Sequence, residues 1–377
     1  MCDKCLDKTV EALKKFNFKG DIIRVTPFGS GIINDTFLVV CNDKGSKNKY
    51  ILQRINNSVF KNVNKLMENY CNVCDYLKDI ICKRGGDIDR QTITVVLTND
   101  GKSFYCDSKG NYWRVIKFIK NTVTYDVSES TGDFYKVGKT FGEFQNMLID
   151  YNAESLYETI PNFHNTKERY KSFINAIERN KANRLDNVIN EVNFIIERKS
   201  DTSILVDLLQ KGKLPLRVTH NDTKISNILM DAKTKEGICV IDLDTIMPGL
   251  SLYDFGDAIR SGATHVSEDE KDLNKVFIDL EFFEAFTKGF LEGTANSLTE
   301  KEIELLPMAV KIITLEQGIR FLTDYLNGDV YYKTNYNDQN LDRTRTQLKL
   351  VKDIEEKLNE MKNIVNKCLS NNIEAEL

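Results

Sequence analysis

The stretch LRVTHNDTKISNILMDAKTKEGICVIDLDT, residues 216–245, places short apolar, β-branched runs inside an otherwise helical half of the chain. The runs Ile228–Met230 and Ile238–Ile241 are joined by the polar turn DAKTKEG, so they are predicted to pair as a β-hairpin. The open end of such a hairpin brings Asn227 beside Asp242.

Four oxygen-bearing side chains are expected around that open end. Carboxylate and amide oxygens are ligands that Mg²⁺ prefers, so Asn227 and Asp242 are predicted to hold this ion. Side chains alternate along a strand, so Asp244 is expected on the same face as Asp242, within reach of a second metal ion. Asp222 lies on the preceding loop, where it can accept a hydrogen bond from an attacking hydroxyl group. The set predicts phosphoryl transfer.

The spacing His-x-Asp-x4-Asn, followed by Ile-Asp-x-Asp, resembles the catalytic and metal loops of the protein-kinase-like phosphotransferases, which include aminoglycoside phosphotransferases and choline kinases. The resemblance implies ATP and Mg²⁺ as cofactors and a bilobal α+β fold. A small antiparallel-sheet lobe, residues 1–120, would bind the nucleotide. A larger, mainly helical lobe, residues 121–377, would carry catalysis and acceptor binding. The resemblance also implies that His220 supports the catalytic loop and is neither a metal ligand nor a general base.

The first third of the chain fits the smaller lobe, since IIRVTPF, DTFLVVC and KYILQRI are short apolar runs separated by turns. The polar cluster NDKGSKNK predicts an antiparallel turn between the second and third runs. Gly29, Ser30 and Gly31 lie between the first two, with Asn34 shortly after, and glycines let backbone amides approach nucleotide phosphates. A helix is predicted next, from about Val59 to Ile81.

The cation that neutralises the phosphates is expected on the third run, KYILQRI. Gln53 and Arg54 point to opposite faces of this strand, and Arg54 is preferred because neutralising charge is the task. Glu68, on the following helix, is its expected ion-pair partner. By the family resemblance, the hinge that contacts adenine through backbone atoms lies at Phe118, Ile119 and Lys120.

A closer resemblance, to the N-acetylhexosamine 1-kinases, runs through most of the chain. It rests on GSGIINDTF, YILQRIN, IPNFHNTKERY, the stretch from RVTHNDTKISNIL to VIDLDTIMPGLSLYDFGDAIR, and LEQGIRFLTDYLNGDVYYK with NLDRTRTQ. It implies a small-molecule sugar acceptor, GlcNAc or GalNAc, phosphorylated at the anomeric hydroxyl. By position, Asp222 would meet that hydroxyl and Lys224 would offset charge at the γ-phosphate, while Arg320 and Tyr331 would donate hydrogen bonds to sugar oxygens.

Two further acids and one departure belong to this resemblance. Asp254 and Asp257, in YDFGDAIR, would support the catalytic loop from behind. Ile32 departs from the family pattern because it supplies no polar group in the phosphate loop. Contacts there would come from the backbone, Asn34 or Asp35, so the preferred hexosamine stays open.

The bulk properties exclude several classes of partner. A formal charge of −4 provides no positive excess for nucleic acid, and no run reaches the roughly 18 apolar residues that span a bilayer, so a cytoplasmic enzyme is expected. A zinc site built from Cys2, Cys5, Cys71 and Cys74 is disfavoured by the long separation of the two pairs. The apolar seam of the C-terminal helix, about Gln347 to Leu369, is short for a coiled coil. A monomer is therefore expected, with a dimer through that helix as the alternative.

Two other functions are compatible with parts of this sequence. A kinase of the same fold acting on choline, an aminoglycoside, homoserine or a thiosugar is the nearest alternative. A cationic acceptor calls for several acids or an aromatic box, whereas residues 316–332 mix Arg, Asp and Tyr, which suits a neutral polyol. A nucleotide-binding pseudokinase is less favoured because Asp222, Asn227 and Asp242 are all present.

Overall fold

The N-terminal part of the chain folds as a small antiparallel sheet. A computed structural model describes residues 9–29 and 33–376, beginning with helix α1 at residues 9–13. Six strands lie in the order β1-β2-β3-β6-β4, with β5 paired to β6. They are β1 (Asp21–Pro27), β2 (Asp35–Asp43), β3 (Ser46–Ile55), β4 (Val95–Val96), β5 (Tyr105–Cys106) and β6 (Tyr112–Lys117).

The turn between β2 and β3 follows from its sequence. Lys44 and Gly45 have φ values of +49° and +91°, the left-handed values that a tight hairpin turn requires. Glycine adopts such values without strain, which sets the register that places Asp35 opposite Arg54. The predicted antiparallel turn is confirmed.

Helix α2 (Val63–Lys83) lies between the sheet and the helical part of the molecule. It begins four residues later than the predicted Val59, because Asn62 is its N-cap and accepts a hydrogen bond from the Lys65 amide at 3.1 Å. Its buried stripe consists of Leu66, Tyr70, Val73, Cys74, Leu77 and Ile81. This stripe joins the largest hydrophobic core, so α2 ties the sheet to the rest of the chain.

The remainder is mainly helical, with short strands that carry the loops of interest. The helices are α3 (Ile88–Gln91), α4 (Thr131–Met147), α5 (Thr166–Arg179), α6 (Ile189–Glu197), α7 (Ile204–Gln210), α8 (Ser251–Gly262), α9 (Leu280–Thr294), α10 (Glu300–Asn327) and α11 (Gln339–Glu376). The strands are β7 (Thr122–Val123), β8 (Arg217–Thr219), β9 (Ile228–Asp231), β10 (Gly237–Val240) and β11 (Met247–Gly249).

The predicted hairpin is confirmed as β9 and β10, which pair Ile228 with Val240. β7 adds to β9 as a third strand, and β11 pairs separately with β8. The overall arrangement, a small antiparallel sheet followed by a mainly helical half, is the predicted α+β fold.

Helices α4 and α9 approach closely through glycines. A Cβ atom added at Gly138 of α4 would stand 2.3 Å from the Phe286 carbonyl oxygen of α9, so only glycine fits there. This contact fixes α4 in place. Phe141 and Phe144 of the same helix pack edge-on against the His220 ring, with ring centroids 6.0 and 6.1 Å away. The floor of the loop that starts at His220 is therefore rigid.

The C-terminal helix α11 packs along the helical half. The apolar side chains of its predicted seam that are buried by the chain itself are Val351, Ile354, Met361, Val365 and Cys368. Their burial agrees with packing against the same lobe. None of the described helices combines the length and apolarity required to cross a bilayer.

Candidate active site

Asp222 lies on the loop between β8 and a short 3₁₀ turn, Ile225–Asn227. Its carboxylate accepts hydrogen bonds from Lys224 Nζ at 2.8 Å and from Asn227 Nδ2 at 3.1 Å. Asn227 Nδ2 also donates to the Asp222 main-chain oxygen at 2.8 Å, which fixes the loop around the carboxylate. The Asp222 side chain remains 23% exposed, so a ligand can reach it.

Asp254 of α8 holds this loop from behind. Its buried carboxylate accepts hydrogen bonds from the His220 amide at 3.0 Å, the Asn221 amide at 2.7 Å and Gln145 Nε2 at 2.9 Å. Burial raises the pKa of Asp254, and the His220 and amide donors oppose that rise. Three donors converging on one carboxylate leave the loop little freedom.

His220 is itself fully buried and bonded to main-chain atoms on both sides of its ring. Nε2 lies 2.8 Å from the Ile241 carbonyl oxygen, and Nδ1 accepts from the Asp222 amide at 3.2 Å. Neither ring nitrogen is left for a ligand or a proton transfer. Asp257 completes the support by accepting from the Thr223 amide at 3.0 Å.

Asn227 and Asp242 stand at the open end of the hairpin. The Ile241 amide donates to the Asn227 carbonyl oxygen at 2.9 Å, which places the two residues side by side. Burial, followed by the charges of Asp244 and Asp222, raises the pKa of Asp242 to about 6. Within the described residues its carboxylate accepts no hydrogen bond, and the Asn227 oxygen Oδ1 is likewise free. This donor set, one carboxylate and one amide oxygen, fits Mg²⁺.

Asp244 does not share a strand face with Asp242, and this corrects the prediction. The strand ends before Asp242, which adopts the left-handed φ of +61°, and the chain continues as the 3₁₀ turn Leu243–Thr245. The Asp244 side chain forms a buried ion pair with Arg114, and its other oxygen accepts from Asn34 Nδ2 at 2.6 Å. Each oxygen thus has a partner within the chain, and the predicted contact of Asp244 with a second metal ion stays a prediction.

The glycine loop is only partly described. Gly29 has a φ of +75° with open space around its Cα, as suits a backbone that a ligand approaches. Asn34 is held by two contacts, because its Oδ1 also accepts from the Asn56 amide at 2.9 Å. Its side chain therefore connects β2 to Asp244. Ser30, Gly31 and Ile32 lie outside the described residues.

Arg54 faces away from the cleft, which corrects the choice between Gln53 and Arg54. Its guanidinium binds Asp35 at 2.8 Å and Asn111 Oδ1 at 3.1 Å, on the outer side of the sheet. Gln53 occupies the inner face, where its Oε1 accepts from Arg114 Nε at 3.0 Å. The buried cation on that face therefore comes from β6, the neighbouring strand.

The expected pair between Glu68 and Arg54 is not formed. Glu68 Oε1 instead accepts a long hydrogen bond, 3.3 Å, from the Tyr157 hydroxyl. The next residue, Asn69, is buried and donates to the Tyr157 and Ile246 carbonyl oxygens at 2.8 and 3.0 Å. Asn69 thus links α2 to the chain just after the metal-loop carboxylates.

The three expected hinge residues follow β6 directly. Phe118 packs edge-on against Phe28, with ring centroids 5.9 Å apart, which joins the hinge to the start of the glycine loop. Ile119 is buried, and its carbonyl oxygen accepts from the Thr122 hydroxyl at 3.0 Å. Lys120 is exposed.

The expected acceptor residues lie near the end of α10. The Arg320 guanidinium stands over the rings of Phe163 and Tyr332, 5.0 and 5.7 Å from their centroids. Its Nη1 donates to Gln317 Oε1 at 3.1 Å. Tyr331 is 58% exposed, so its hydroxyl is accessible to a ligand.

The loop that carries Tyr331 is fixed by a residue that sequence reasoning missed. Asp324 is buried and accepts from the amides of Val330, Tyr331 and Tyr332 at 2.9, 2.8 and 2.9 Å. The signal lay in the quoted segment LTDYLNGDVYYK, where an acid precedes a glycine turn. Phe163 was likewise inside a matching segment, IPNFHNTKERY, without an assigned role.

Only two of the four cysteines of the alternative zinc site lie in the part of the chain that the structure describes. Cys71 and Cys74 lie on α2 as free thiols, and burial raises the pKa of both. Cys2 and Cys5 lie outside the described residues. Across residues 9–29 and 33–376, His, Cys, Asp and Glu side chains form no cluster of three or more suited to a metal ion.

A small sheet above a helical half, with the loops of Asp222 and Asp242 between them, defines a protein of the kinase-like fold. Three solved structures are similar to it, and their low sequence identities support a shared fold alone. They are a microcompartment-associated aminopropanol kinase (15% identity, TM-score 0.56, 95% of this chain and 98% of that one), choline kinase from Cryptosporidium parvum Iowa II (15%, 0.55, 91% and 92%), and a spectinomycin phosphotransferase in complex with ADP and spectinomycin (15%, 0.52, 96% and 98%).

The family model described as APH, the phosphotransferase enzyme family, matches residues 24–275. This match covers more than half of the chain, which therefore belongs to that family. The loops that carry Asp222 and Asp242 fall inside the matched range.

Proposed function

We propose that this kinase transfers the γ-phosphoryl group of ATP to the anomeric hydroxyl of an N-acetylhexosamine, GlcNAc or GalNAc. The products are the sugar 1-phosphate and ADP. The observation that carries the proposal is the convergence of Asp222, Lys224 and Asn227 at hydrogen-bond distances. Beside them lies the Asp242 carboxylate, which has no hydrogen-bond partner among the residues that the structure describes.

In this reaction Asp222 acts on the acceptor. Its carboxylate accepts the proton of the anomeric hydroxyl as that oxygen forms a bond to the γ-phosphorus. The bond from the γ-phosphorus to the bridging oxygen breaks, and ADP leaves with the electron pair. Lys224, 2.8 Å from Asp222, offsets charge on the phosphoryl group in transfer. Asn227 and Asp242 would hold Mg²⁺, which when bound neutralises the nucleotide phosphates.

The choice of a neutral sugar rests on the acceptor side. The Arg320 guanidinium already stands over one face of Phe163 and one face of Tyr332, and its positive charge disfavours a quaternary ammonium group beside it. The nearby buried acid Glu316 is also satisfied, because it accepts from the Thr166 hydroxyl at 2.5 Å and lies 2.8 Å from the His164 ring. An arginine and an exposed tyrosine hydroxyl suit the oxygens of a sugar.

The competing acceptors are the amino alcohols and aminoglycosides named for the proteins of similar fold. Purified protein is given Mg-ATP with GlcNAc, GalNAc, glucose, choline or kanamycin, and ADP release is measured together with loss of the reducing sugar end. We expect turnover with an N-acetylhexosamine, loss of its reducing end, and turnover by Asp222→Asn that is slower by about 100-fold or more. Phosphorylation of choline or kanamycin with no reaction of either hexosamine would overturn the choice of acceptor.

A matched pair of arginine variants tests the acceptor site. Arg320→Gln should lower kcat/KM for the sugar at least tenfold, since one charged hydrogen-bond donor is lost. Arg345→Gln removes an arginine that binds Glu191 at 2.6 Å elsewhere on the helical half, and it should leave kcat/KM unchanged. Equal effects of the two substitutions would remove Arg320 from the sugar site.

A further inference from the structure

Arg114 is a buried arginine on the inner face of the sheet. Its side chain is 1% exposed, and its guanidinium lies 4.4 Å from the centroid of the Tyr70 ring on α2. Nε donates to Gln53 Oε1 at 3.0 Å, and Nη1 is paired with Asp244. Nη2 is buried and has no hydrogen-bond partner in the described part of the chain. A charge buried this deeply requires its partner, because desolvation is costly.

The partner carboxylate, Asp244, belongs to the helical half, two residues after Asp242. Its side chain is 5% exposed, and both oxygens are used, one by Arg114 and the other by Asn34 at 2.6 Å. Asn34 in turn accepts from the Asn56 amide at 2.9 Å. Contacts from β6 and from the start of β2 therefore meet on one carboxylate of the opposite lobe.

The sequence of β3 explains why this arginine is needed. The inner position of that strand is Gln53, a neutral residue, and Arg54 points outward to Asp35. The positive charge that faces the metal loop is supplied from β6 instead. Arg114 also lies close enough to Asp242 to oppose the rise in the pKa of that carboxylate.

We propose that Arg114 and Asp244 form a latch between the two lobes, which we call the interlobe latch. Arg114 and Asp244 are positioning residues: they set the metal loop against the nucleotide cleft, and Asp242 and Asn227 bind the metal ion. The inference rests on the proposed function in so far as that cleft binds Mg-ATP. It replaces the earlier expectation of Asp244 as a second metal ligand.

The latch and the metal-ligand role predict different behaviour without magnesium. Four variants, Arg114→Gln, Arg114→Lys, Asp244→Asn and the Arg114→Gln/Asp244→Asn double variant, are compared with the wild type. Binding of a fluorescent ADP is measured in EDTA and then against rising Mg²⁺. Because an open latch separates the lobes, each single amide variant should weaken ADP binding in EDTA about tenfold. The double variant should be no worse than either single variant, since both remove one interaction. Arg114→Lys should recover most of the loss.

A metal-ligand role for Asp244 gives the opposite pattern. Asp244→Asn would then bind ADP normally in EDTA and require more Mg²⁺, and Arg114→Gln would leave the Mg²⁺ requirement equal or lower. That result would overturn the latch. Arg198→Gln is the matched control, since it breaks a partly buried arginine pair with Glu355, 2.7 Å long, inside the helical half. It should bind ADP as the wild type does.

Two safeguards keep the outcome interpretable. If a single variant fails to fold, the double variant carries the same comparison, because neutral amides replace both charges and no buried charge is left unpaired. If the wild type itself binds no ADP, the proposed function fails. Normal binding by the wild type and by every variant in EDTA would refute the latch alone.

Discussion

Replacing Asp242 with asparagine should abolish activity and at the same time stabilise the folded protein. The residue has a φ of +61°, a left-handed conformation that asparagine adopts readily, so Asp242→Asn introduces no backbone strain. The substitution removes a carboxylate that burial and two neighbouring carboxylates make unfavourable in its ionised form. The same negative charge is what a magnesium site needs, so stability and activity should move in opposite directions.

The size of the stabilisation follows from the pKa of Asp242. A rise from the ordinary 3.8 to about 6 corresponds to roughly 3 kcal/mol against the ionised form. Partial contact with solvent reduces this figure, so about 1 to 2 kcal/mol is expected. The folded protein binds a proton that the unfolded chain has already lost between these two pKa values. Wild-type stability therefore falls as pH rises through this window, and the full cost applies above about pH 6.

The assay is urea unfolding in EDTA at about pH 4, 6 and 8. Asp242→Asn should match the wild type near pH 4 and exceed it by about 1 to 2 kcal/mol near pH 8. Asp244→Asn is the contrasting variant. It leaves the buried Arg114 charge unpaired, so it should lose about 3 kcal/mol or more. The reasoning would be refuted if Asp242→Asn were less stable than the wild type at pH 8. It would also be refuted if the difference in unfolding free energy between the two proteins did not change with pH.

Three further outcomes are expected. Asp222→Asn should reduce kcat by about 100-fold to 10,000-fold and leave the KM for ATP within about threefold, in steady-state assays, because it removes the proton acceptor without altering the nucleotide cleft. Asp254→Asn should lower the free energy of unfolding by about 3 kcal/mol and should also lower kcat. The new amide group can point an N–H donor at the His220 and Asn221 amides, which are themselves donors. Asp353→Asn is its control: that buried carboxylate accepts from the Ile278 amide at 2.8 Å, and its loss should lower stability while kcat is unchanged. Burial opposes ionisation of Glu316, but the His164 ring and the Thr166 hydroxyl outweigh it and hold the pKa of Glu316 below its ordinary value. The ionised Glu316 should therefore stabilise the protein above about pH 4.5, and this stabilisation should disappear as the pH falls further. The free energy of unfolding of Glu316→Gln should accordingly change less with pH than that of the wild type below about pH 5, as measured by urea unfolding.

The parts of the fold that local sequence determines were predictable. The hairpin of β9 and β10 follows from two apolar runs and a polar turn, and the turn after β2 follows from Gly45. Both depend on neighbours within about ten residues, where side-chain period and turn chemistry act directly.

The face of a strand is harder to assign than its position. Periodicity shows that Gln53 and Arg54 point to opposite sides, but which side meets the cleft depends on packing across the sheet. Arg54 lies opposite Trp113 in the register with β6, on the outer side, and that places Arg114 on the inner side with Gln53. Only the pairing of two strands sixty residues apart makes this visible, and no local signal distinguishes the two arginines.

The predicted common face of Asp242 and Asp244 is wrong for a different reason. Strand alternation predicts a common face as far as Asp244, whereas β10 ends at Val240 and Asp242 adopts the left-handed conformation. Aspartate is one of the few residues besides glycine that adopts this conformation, so an aspartate directly after an apolar run was a weak sign of a turn. The consequence is large, because it sends Asp242 and Asp244 to different partners.

Asp222, Asp242 and Asp244 differ in their ion-pair partners, and these partners distinguish their roles better than their spacing in the sequence does. Asp222 is 2.8 Å from Lys224, and Asp244 is paired with Arg114. Within the described chain Asp242 forms no ion pair, and its pKa rises to about 6. Desolvation, and then the charges of Asp244 and Asp222, make the ionised form of Asp242 unfavourable, and the residue is exposed, so a cation that arrives with the ligand can reach this carboxylate and would stabilise it. Of the three acids, Asp242 is therefore the one suited to the metal ion of the incoming nucleotide, and Asp222, already oriented by a lysine and an amide, is suited to the acceptor.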